Sequence, residues 1–297
     1  MLFGGRIRTA HGRALVLCGL LLAAWWTVHG AAAPESFRFA ILGDRTGEAQ
    51  DNVYEQVCKE AAGERPALVV SVGDTIQGMD DRTAEAEWRE ASRILQLFRG
   101  IPVYLTPGNH DIWSAESERL VREYARHAPH YSFDYGPLHV TVLDNSRSDE
   151  LAPEELAFLE ADLKAHAGQP LKMVVMHRPS WIVNVALRNP DFRLHQLAKK
   201  YGVQYVVAGH LHQMLHLELD GVTYLSMVSS GGHLRASERY EDGWFFGHAL
   251  VEVTGHTAVF HIHEVRPPHG EGRVTGLADW GMTGLARKEH SQGAAAK

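Results

Sequence analysis

The chain has 297 residues, a length that suits one large domain or two small ones. Hydrophobic residues make up 45% of it and charged residues 22%, ordinary values for a globular protein that exclude a disordered chain. The net charge of −7 argues against a protein that coats nucleic acid, because that role needs a basic surface. The 19 His stand out, since imidazole is a common metal ligand and acid–base group, but only their positions can decide.

Residues 1–32 have the features of a secretory signal peptide. A start with three Arg precedes an apolar run over residues 14–26, and small residues follow up to Ala33. The run is shorter than the ~20 residues that a membrane helix needs. We expect cleavage after Ala32 and export to the periplasm or the medium. The net charge then moves from −7 to −10, because three Arg and no acid are lost. An uncleaved segment that tethers the chain to a membrane is the alternative.

Cysteine usage predicts no disulfide in the exported chain. Cys18 lies in the segment that we expect to be removed, so Cys58 is left alone. Cys58 lies among apolar residues at near-helical spacing and is interpreted as a small core residue rather than a reactive thiol.

From residue 37 onward, short apolar strands alternate with amphipathic helices. The predicted strands in this part are 37–42, 67–72, 102–105, 139–143, 171–176 and 204–208. The predicted helices are 51–62, 83–98, 116–126, 153–165 and 192–201. Two hairpins follow, with strands at 216–219, 222–227, 244–253 and 257–265. This order predicts an α/β fold: a four-layer α/β/β/α sandwich of two mixed sheets flanked by helices.

The composition shows no boundary inside residues 35–266, so one domain is expected there. Residues 267–297 are rich in Gly, Pro and small side chains and lack periodicity. They are predicted to form a loosely ordered C-terminal tail.

Five predicted strands end at residue types that bind metal ions. These residues are Asp44, Asp74, Asn109, His110, Asp111, His177, His210 and His212. Ligands collect at the carboxyl ends of strands in open α/β sheets, and a neighbouring Gly lets the backbone approach closely. A single Asp after a strand is commonly a cap or a turn former. Five such ends in order, with an Asn-His-Asp and a His-x-His among them, predict a shared metal site.

The chemical types of the predicted ligands indicate which metal ions would bind. Carboxylates, imidazoles and an amide oxygen, without a thiolate, suit ions such as Zn, Mn or Fe. The donors exceed what one ion needs, so two ions are expected. Two metals about 3.5–4 Å apart clamp the attacking and leaving oxygens of a phosphoryl centre and activate a water near neutral pH.

In these motifs the sequence resembles the calcineurin-like metallophosphoesterases. That family's pattern is Asp-x-His, Gly-Asp, Gly-Asn-His-Asp/Glu, a lone His and Gly-His-x-His. All five motifs occur here in that order, within about residues 37–265. The resemblance implies two mixed sheets packed together between helices, which agrees with the pattern of elements.

The resemblance also implies a role for each motif residue. The implied ligands are Asp44 and His212 for the first ion, Asn109, His177 and His210 for the second, and Asp74 as a bridge between the ions. His110 would lie near the leaving oxygen and donate a proton or stabilise the charged phosphoryl group. Asp111 would orient His110, as carboxylates commonly do for a working imidazole.

One motif departs from the family pattern. The first motif reads Asp44-Arg45-Thr46, where the family usually has His at the third position. Thr46 offers only a neutral hydroxyl, so the first ion would bind more weakly, be completed by water, or be a harder ion such as Mn or Mg. A role for Thr46 as a cap at the entry to the next helix is equally open.

Three further side chains are weaker candidates. Arg45 and Arg178 adjoin predicted ligands and would suit a phosphate oxygen, although surface ion pairs would explain them as well. His233 follows a Ser-Ser-Gly-Gly segment and either lines the site or is simply a polar loop residue.

The sequence therefore predicts an exported metallophosphoesterase with two divalent ions (Mn, Fe, Zn or Mg). It would hydrolyse a phosphate monoester or diester by attack of a hydroxide that bridges the metals. No nucleic-acid-binding surface is evident, and no stable membrane span is expected once the signal is cleaved. The alternative is a protein on the same fold that binds metal or phosphate with little or no turnover. His110 and Asp111 favour the enzyme, and Thr46 favours the alternative.

Overall fold

The computed structural model describes residues 36–268 and 270–280. The predicted signal peptide and residues 281–297 of the predicted tail lie outside the described residues. Within the described ranges, no helix is both long enough and apolar enough to cross a membrane.

The predicted elements occur in the predicted order, and Tyr131–Tyr135, Ile182–Ala186 and Gly270–Gly276 are elements that were not predicted. The strands are β1 (Ser36–Leu42), β2 (Val69–Ser71), β3 (Val103–Tyr104), β4 (Tyr131–Tyr135), β5 (Leu138–Val142), β6 (Leu171–Val175), β7 (Tyr205–Ala208), β8 (Leu215–Leu219), β9 (Val222–Ser226), β10 (Phe246–Thr254), β11 (Thr257–Arg266) and β12 (Gly270–Gly276). The helices are α1 (Val53–Gly63), α2 (Asp81–Leu95), α3 (Ala115–Ala125), α4 (Pro153–Ala165), α5 (Ile182–Ala186) and α6 (Arg193–Tyr201). Short 3₁₀ segments cover Gln96–Phe98, Tyr240–Asp242 and Leu277–Trp280.

Local signals fix where several helices begin and end. The Asp80 side chain accepts a hydrogen bond from the Arg82 backbone and caps α2. Ser114 and Ser117 cap α3 reciprocally. Pro153 opens α4, where its missing N–H costs nothing.

The strands form two mixed six-stranded sheets. In the first sheet the order is β12-β11-β10-β1-β2-β3, with β1, β2 and β3 parallel. In the second the order is β4-β5-β6-β7-β9-β8, and its four central strands are parallel. The carboxyl ends of parallel neighbours lie at one edge of their sheet, so residues that follow β1, β2, β6 and β7 can meet.

The two sheets pack face to face between helices. Phe39 and Ile41 of β1 belong to one core with Val140, Met173 and Val207 of the second sheet, and all five are fully buried. Helices α4, α5 and α6 cover the outer face of the second sheet, while α1 packs on the first. The predicted four-layer α/β/β/α sandwich is confirmed. Cys58 of α1 is buried in the core, as expected.

Residues 270–280 are not the loosely packed segment that was predicted. Gly270–Gly276 pairs with β11 as an antiparallel edge strand, although its composition has little strand preference. Trp280 is buried between Phe245 and Tyr240, with ring centroids 5.5 and 5.6 Å away. Tertiary packing onto an existing edge, rather than local propensity, orders this part of the chain.

A buried histidine joins α4 to the β4–β5 edge of the second sheet. His139 contacts the Asp134 carboxylate through Nδ1 at 2.7 Å and that of Asp162 through Nε2 at 2.9 Å. Ser132 and Thr141 also donate hydrogen bonds to Asp162. Burial alone would lower the pKa of His139, but the two carboxylates outweigh it and the pKa is raised. The two carboxylates therefore favour the imidazolium form of the ring.

This network predicts a specific pH dependence of stability. Because the folded pKa of His139 lies above its unfolded value of about 6.5, its stabilising effect is complete below pH ~6.5 and is lost as the pH rises through the folded pKa. His139→Gln should lower the free energy of unfolding at pH 6 by about 3–5 kcal/mol, and by less at pH 9. Urea unfolding at both pH values measures this, with the exposed turn variant His256→Gln as control. An equal loss at both pH values would contradict the assignment.

Candidate metal centre

The predicted ligands come together where strands of both sheets end. Loops after β1, β2 and β3 supply Asp44, Asp74 and Asn109, and loops after β6 and β7 supply His177, His210 and His212. Asp44, Asp74, His177 and His212 are fully buried. The site is built from residues that are up to 168 positions apart in sequence, from Asp44 to His212.

His177 is at the middle of one half of the centre. Its Nε2 lies 3.2 Å from Asp74 Oδ2, 3.0 Å from Asn109 Oδ1 and 3.2 Å from His210 Nδ1. Ligand atoms of Asp74, His177 and His210 all lie within 4.8 Å of one another. These four residues are called the second half of the centre, because the family pattern assigned them to the second ion or to the bridge.

The tautomer of His177 determines which of its nitrogens is available to a cation. Its Nδ1 donates to the Val72 carbonyl oxygen at 2.8 Å, which leaves Nε2 with a lone pair in the neutral ring. That lone pair faces a carboxylate oxygen, an amide oxygen and a second imidazole nitrogen. Lone pairs that converge without a proton between them repel one another, and a proton on one of the rings or a metal ion relieves that repulsion.

Asp44 and His212 form the first half of the centre. His212 Nε2 lies 3.3 Å from Asp44 Oδ2, and its Nδ1 donates to the His233 carbonyl oxygen at 2.7 Å. The backbone N–H of His210 donates to the same Asp44 oxygen at 2.8 Å and so ties the two halves together. His212 thus presents its Nε2 lone pair to the site, as His177 does.

The residues present fit divalent cations. Asp44 Oδ1 is buried and accepts no hydrogen bond, and the buried Asp74 Oδ2 faces His177 Nε2 at 3.2 Å. A buried carboxylate oxygen without a donor costs free energy, and a cation at that position removes the cost. Oxygen and imidazole donors suit Mg, Mn, Fe or Zn.

Three of the candidate ligands have a strained backbone conformation. Asp74, His210 and His212 have φ values of 54°, 68° and 62°, in the left-handed region that non-glycine residues seldom occupy. Gly108 and Gly209 allow close approach: an added Cβ would lie 2.2 Å from Asp74 Oδ1 and 2.3 Å from Asp44 Oδ1, respectively. The predicted need for Gly beside these ligands is confirmed.

Charges in the centre shift its pKa values in opposite directions. Burial alone would raise the pKa of Asp74, but His177 outweighs it and the pKa is lowered. Burial alone would lower the pKa of His177, yet the charges of Asp74 and Asp44 raise it to about 9. Burial and the neighbouring His177 lower the pKa of His210 to about 4. Without a cation, a proton on His177 neutralises the carboxylates, and cation binding must release it.

His110 lies next to this centre, and a hydrogen bond from its Nδ1 holds the ring in place. Its backbone N–H donates to Asp74 Oδ1 at 2.9 Å, and its Nδ1 donates to the Gln77 carbonyl oxygen at 2.6 Å. The proton is thereby fixed on Nδ1, and Nε2 is the nitrogen that can exchange a proton with a substrate.

The structure corrects the role expected for Asp111. Its carboxylate accepts hydrogen bonds from the backbone N–H groups of Thr75, Ile76 and Gly108, at 2.8, 3.1 and 2.8 Å. The Gln77 carbonyl, not Asp111, orients the His110 ring. Asp111 therefore clamps the loop of Asp74 to the loop of Asn109, a task that sequence reasoning did not foresee.

The side chains of Thr46 and Arg45 both contact residues that are not predicted metal ligands. The Thr46 hydroxyl donates to Gln77 Oε1, and Thr46 is not a helix cap, because α1 begins at Val53. Arg45 donates to the Thr75 carbonyl oxygen and lies 3.5 Å from Glu90. Arg45 also lines a cavity of about 470 Å³ to which none of the metal ligands contributes.

Arg178 and His233 have structural contacts of their own. Arg178 Nη1 lies 2.5 Å from Asp149 Oδ1. His233 Nδ1 donates to the Gly47 carbonyl oxygen at 2.6 Å, and the His233 carbonyl accepts from His212. His233 therefore positions a ligand through its backbone.

Two supporting residues and one cation were missed from the sequence. Asn145 Oδ1 accepts from the backbone N–H groups of His177 and Arg178, both at 3.0 Å, and its place just after β5 was the available signal. Gln77 joins Thr46 to His110, and Arg235 Nη2 lies 3.5 Å from His212 Nε2. No motif in the sequence indicated either of them.

A second group of possible ligands does not form a comparable site. Asp134, His139 and His166 bring ligand atoms within 4.8 Å of one another. Both ring nitrogens of His139 already contact carboxylates, so the protonated ring has no lone pair for a metal.

Comparison with known proteins agrees with this centre. The Calcineurin-like phosphoesterase family model matches residues 37–214, which contain all six predicted metal ligands. The chain is 28% identical over 206 residues to the 3',5'-cyclic adenosine monophosphate phosphodiesterase CpdA of Escherichia coli (strain K12), covering 64% of this chain and 70% of that protein. It is 28% identical over 170 residues to the serine/threonine-protein phosphatase CPPED1 of Bos taurus. That match covers 50% of this chain and spans 54% of the relative.

Solved structures share the fold. The purple acid phosphatase PPD1 of yellow lupin (Lupinus luteus) superposes with a TM-score of 0.59 at 15% identity, covering 81% of this chain and 53% of that one. A dimetal phosphatase from Danio rerio gives a TM-score of 0.54 at 13% identity, covering 81% and 97%. From the family match, the fold and the candidate ligands together, we conclude that the chain belongs to the calcineurin-like phosphoesterase family of phosphoric ester hydrolases.

Proposed function

We propose that this protein is an exported phosphoesterase that uses two divalent cations to hydrolyse a phosphate ester. The observation that carries the proposal is the convergence of donor atoms on His177 Nε2, together with a buried Asp44 oxygen that accepts no hydrogen bond. Such an arrangement is costly in an ordinary core and is explained by cation binding. The ions are Mn, Fe, Zn or Mg.

Two cations held there would lower the pKa of a shared water and neutralise the oxygens of the phosphoryl group. The chain's own residues do the rest. Asp44 and Asp74 are fixed by backbone N–H groups, so the charged oxygens keep their positions when substrate binds. Hydrolysis adds a water oxygen to phosphorus and breaks the bond to the leaving oxygen. That oxygen takes a proton from Nε2 of protonated His110, while Gln77 holds the other ring nitrogen.

The relatives leave the ester class open. The Escherichia coli protein is named as a cyclic-nucleotide phosphodiesterase and the Bos taurus protein as a protein phosphatase. Both monoesters and diesters therefore belong in the first assays, with phenyl and p-nitrophenyl leaving groups and with Mn, Fe, Zn and Mg added separately after chelation.

One observation favours the alternative of a binding protein with little turnover. The hydroxyl of Thr46, which stands where the family usually has a His ligand, is committed to Gln77. Among the predicted ligands, the first half of the centre then has Asp44 and His212, with Asp74 as the proposed bridge. Absence of hydrolysis with every ester and metal, alongside tight metal binding, would establish this alternative.

Asp74→Asn should remove both metal and activity. The substitution keeps the shape but removes the charge that faces His177, and losing a ligand should weaken Mn²⁺ binding by more than about 100-fold. Titration calorimetry with Mn²⁺ and ester hydrolysis measure the two effects. The exposed Asp191→Asn serves as control. Unchanged Mn²⁺ affinity in Asp74→Asn would contradict its place in the centre.

His110→Ala should lose rate and keep metal. General acid catalysis contributes about 10²–10⁴-fold, so kcat should fall by that factor on phenyl phosphate esters. The loss should be smaller on p-nitrophenyl esters, whose leaving group needs no proton. Mn²⁺ stoichiometry should stay at the wild-type value, with His256→Gln as control. Equal losses on both leaving groups, or loss of metal, would show that His110 does not protonate the leaving oxygen.

Export rests on the sequence of residues 1–32. Protein made from the full-length gene in a bacterial host should be recovered from the periplasm or medium. Its measured mass should match that of a chain that begins at Ala33. Recovery of full-length chain from the membrane fraction would instead establish the tether.

A further inference from the structure

The loop after β9 delivers a cationic side chain to the first half of the centre. Ser230 and Gly232 donate backbone hydrogen bonds to the Asp44 carbonyl oxygen, at 2.9 and 3.2 Å. His233 Nδ1 donates to the Gly47 carbonyl oxygen at 2.6 Å. At Gly232 an added Cβ would lie 2.0 Å from the Thr46 carbonyl oxygen, so the loop lies flat against the ligand loop. Arg235 follows this pinned segment directly.

The guanidinium of Arg235 lies at the edge of the centre. Its Nη2 is 3.5 Å from His212 Nε2, the nitrogen whose lone pair faces Asp44. A Cβ added at Gly47 would lie 3.4 Å from the same Nη2, so the side chain passes over the loop that carries Thr46. Arg235 is exposed to solvent and therefore open to a ligand.

Arg235 differs from the other two arginines near the ligands. Arg45 lies 3.5 Å from the Glu90 carboxylate and Arg178 lies 2.5 Å from that of Asp149. Among the described residues, no carboxylate lies within 4.0 Å of Arg235 to form an ion pair. A guanidinium without its own carboxylate, beside a centre for phosphate chemistry, has its donors available for an anionic oxygen.

We propose that Arg235 binds a terminal oxygen of the substrate's phosphoryl group and makes the enzyme selective for phosphate monoesters. The inference rests on the proposed function. A monoester carries up to two negative charges and three terminal oxygens, whereas a diester carries one charge and two such oxygens. An added guanidinium beside the cation site therefore stabilises the monoester more than the diester. It also places positive charge beside His212 and the loop that carries Thr46.

The test compares two esters across three proteins. Purified wild type, Arg235→Gln and the control Arg239→Gln are assayed with p-nitrophenyl phosphate and bis(p-nitrophenyl) phosphate at saturating Mn²⁺. Arg239 lies in the same loop, is exposed, and pairs with Asp242 at 3.4 Å. For Arg235→Gln we expect kcat/KM to fall about 10–100-fold on the monoester, mainly through KM, and less than about threefold on the diester. Arg239→Gln should match wild type on both.

A binding measurement separates this role from metal binding. Calorimetric titration of inorganic phosphate into the Mn²⁺-loaded protein should give a Kd about 10–100-fold weaker for Arg235→Gln, with the Mn²⁺ stoichiometry unchanged. Arg235→Lys should recover part of the loss, since it keeps the charge without the fork.

The possible failures point to different errors. Equal losses on both esters, an unchanged phosphate Kd, or a changed Mn²⁺ stoichiometry in Arg235→Gln would overturn the assignment of Arg235 while leaving phosphoester hydrolysis intact. If wild type hydrolyses neither ester with any metal, the proposed function fails instead, and the selectivity proposal falls with it.

Discussion

The whole centre depends on electron pairs that face one another in a buried space. His177 Nε2, Asp74 Oδ2 and Asn109 Oδ1 lie close together, and the other nitrogen of His177 is already committed to the Val72 carbonyl. Repulsion among these lone pairs opposes folding, and a proton or a cation between them relieves it. A proton on His177 provides the minimum charge, and a divalent cation provides more. Cation binding therefore stabilises the folded chain as well as preparing it for chemistry.

The same contacts join the two sheets. The hydrogen bond from His177 to Val72 connects the loop after β6 in the second sheet to the end of β2 in the first. The bond from the His210 backbone to Asp44 connects the loop after β7 to the loop after β1. Because each bond joins one sheet to the other, the spacing of the ligands is set by the packing of the apolar core between the sheets. A rigid core in turn holds the donors near the positions that cations require.

Sequence patterns predicted the elements that carry the site more fully than its internal contacts. Strand ends followed by Asp, Asn or His were visible because strand period and residue type are local properties. The pattern at Tyr131–Tyr135, which alternates aromatic and polar residues, was also local and was overlooked. The strand at Gly270–Gly276 had no such signal, because it forms by pairing with β11. The sequence also did not indicate which groups each side chain would contact. Asp111 adjoins His110 in sequence, yet its carboxylate accepts hydrogen bonds from the backbone of the Asp74 loop.

Thr46 shows how one substitution redistributes contacts around a metal centre. Its hydroxyl and the Glu48 backbone N–H both donate to Gln77 Oε1, and the carbonyl of Gln77 holds His110. The loop of Asp44 is thus connected through one glutamine to the His110 side chain. An imidazole at position 46 would bind the first ion but would not donate this hydroxyl bond. Thr46 therefore links the first half of the centre to His110 through Gln77, and the Arg235 guanidinium lies at the same edge.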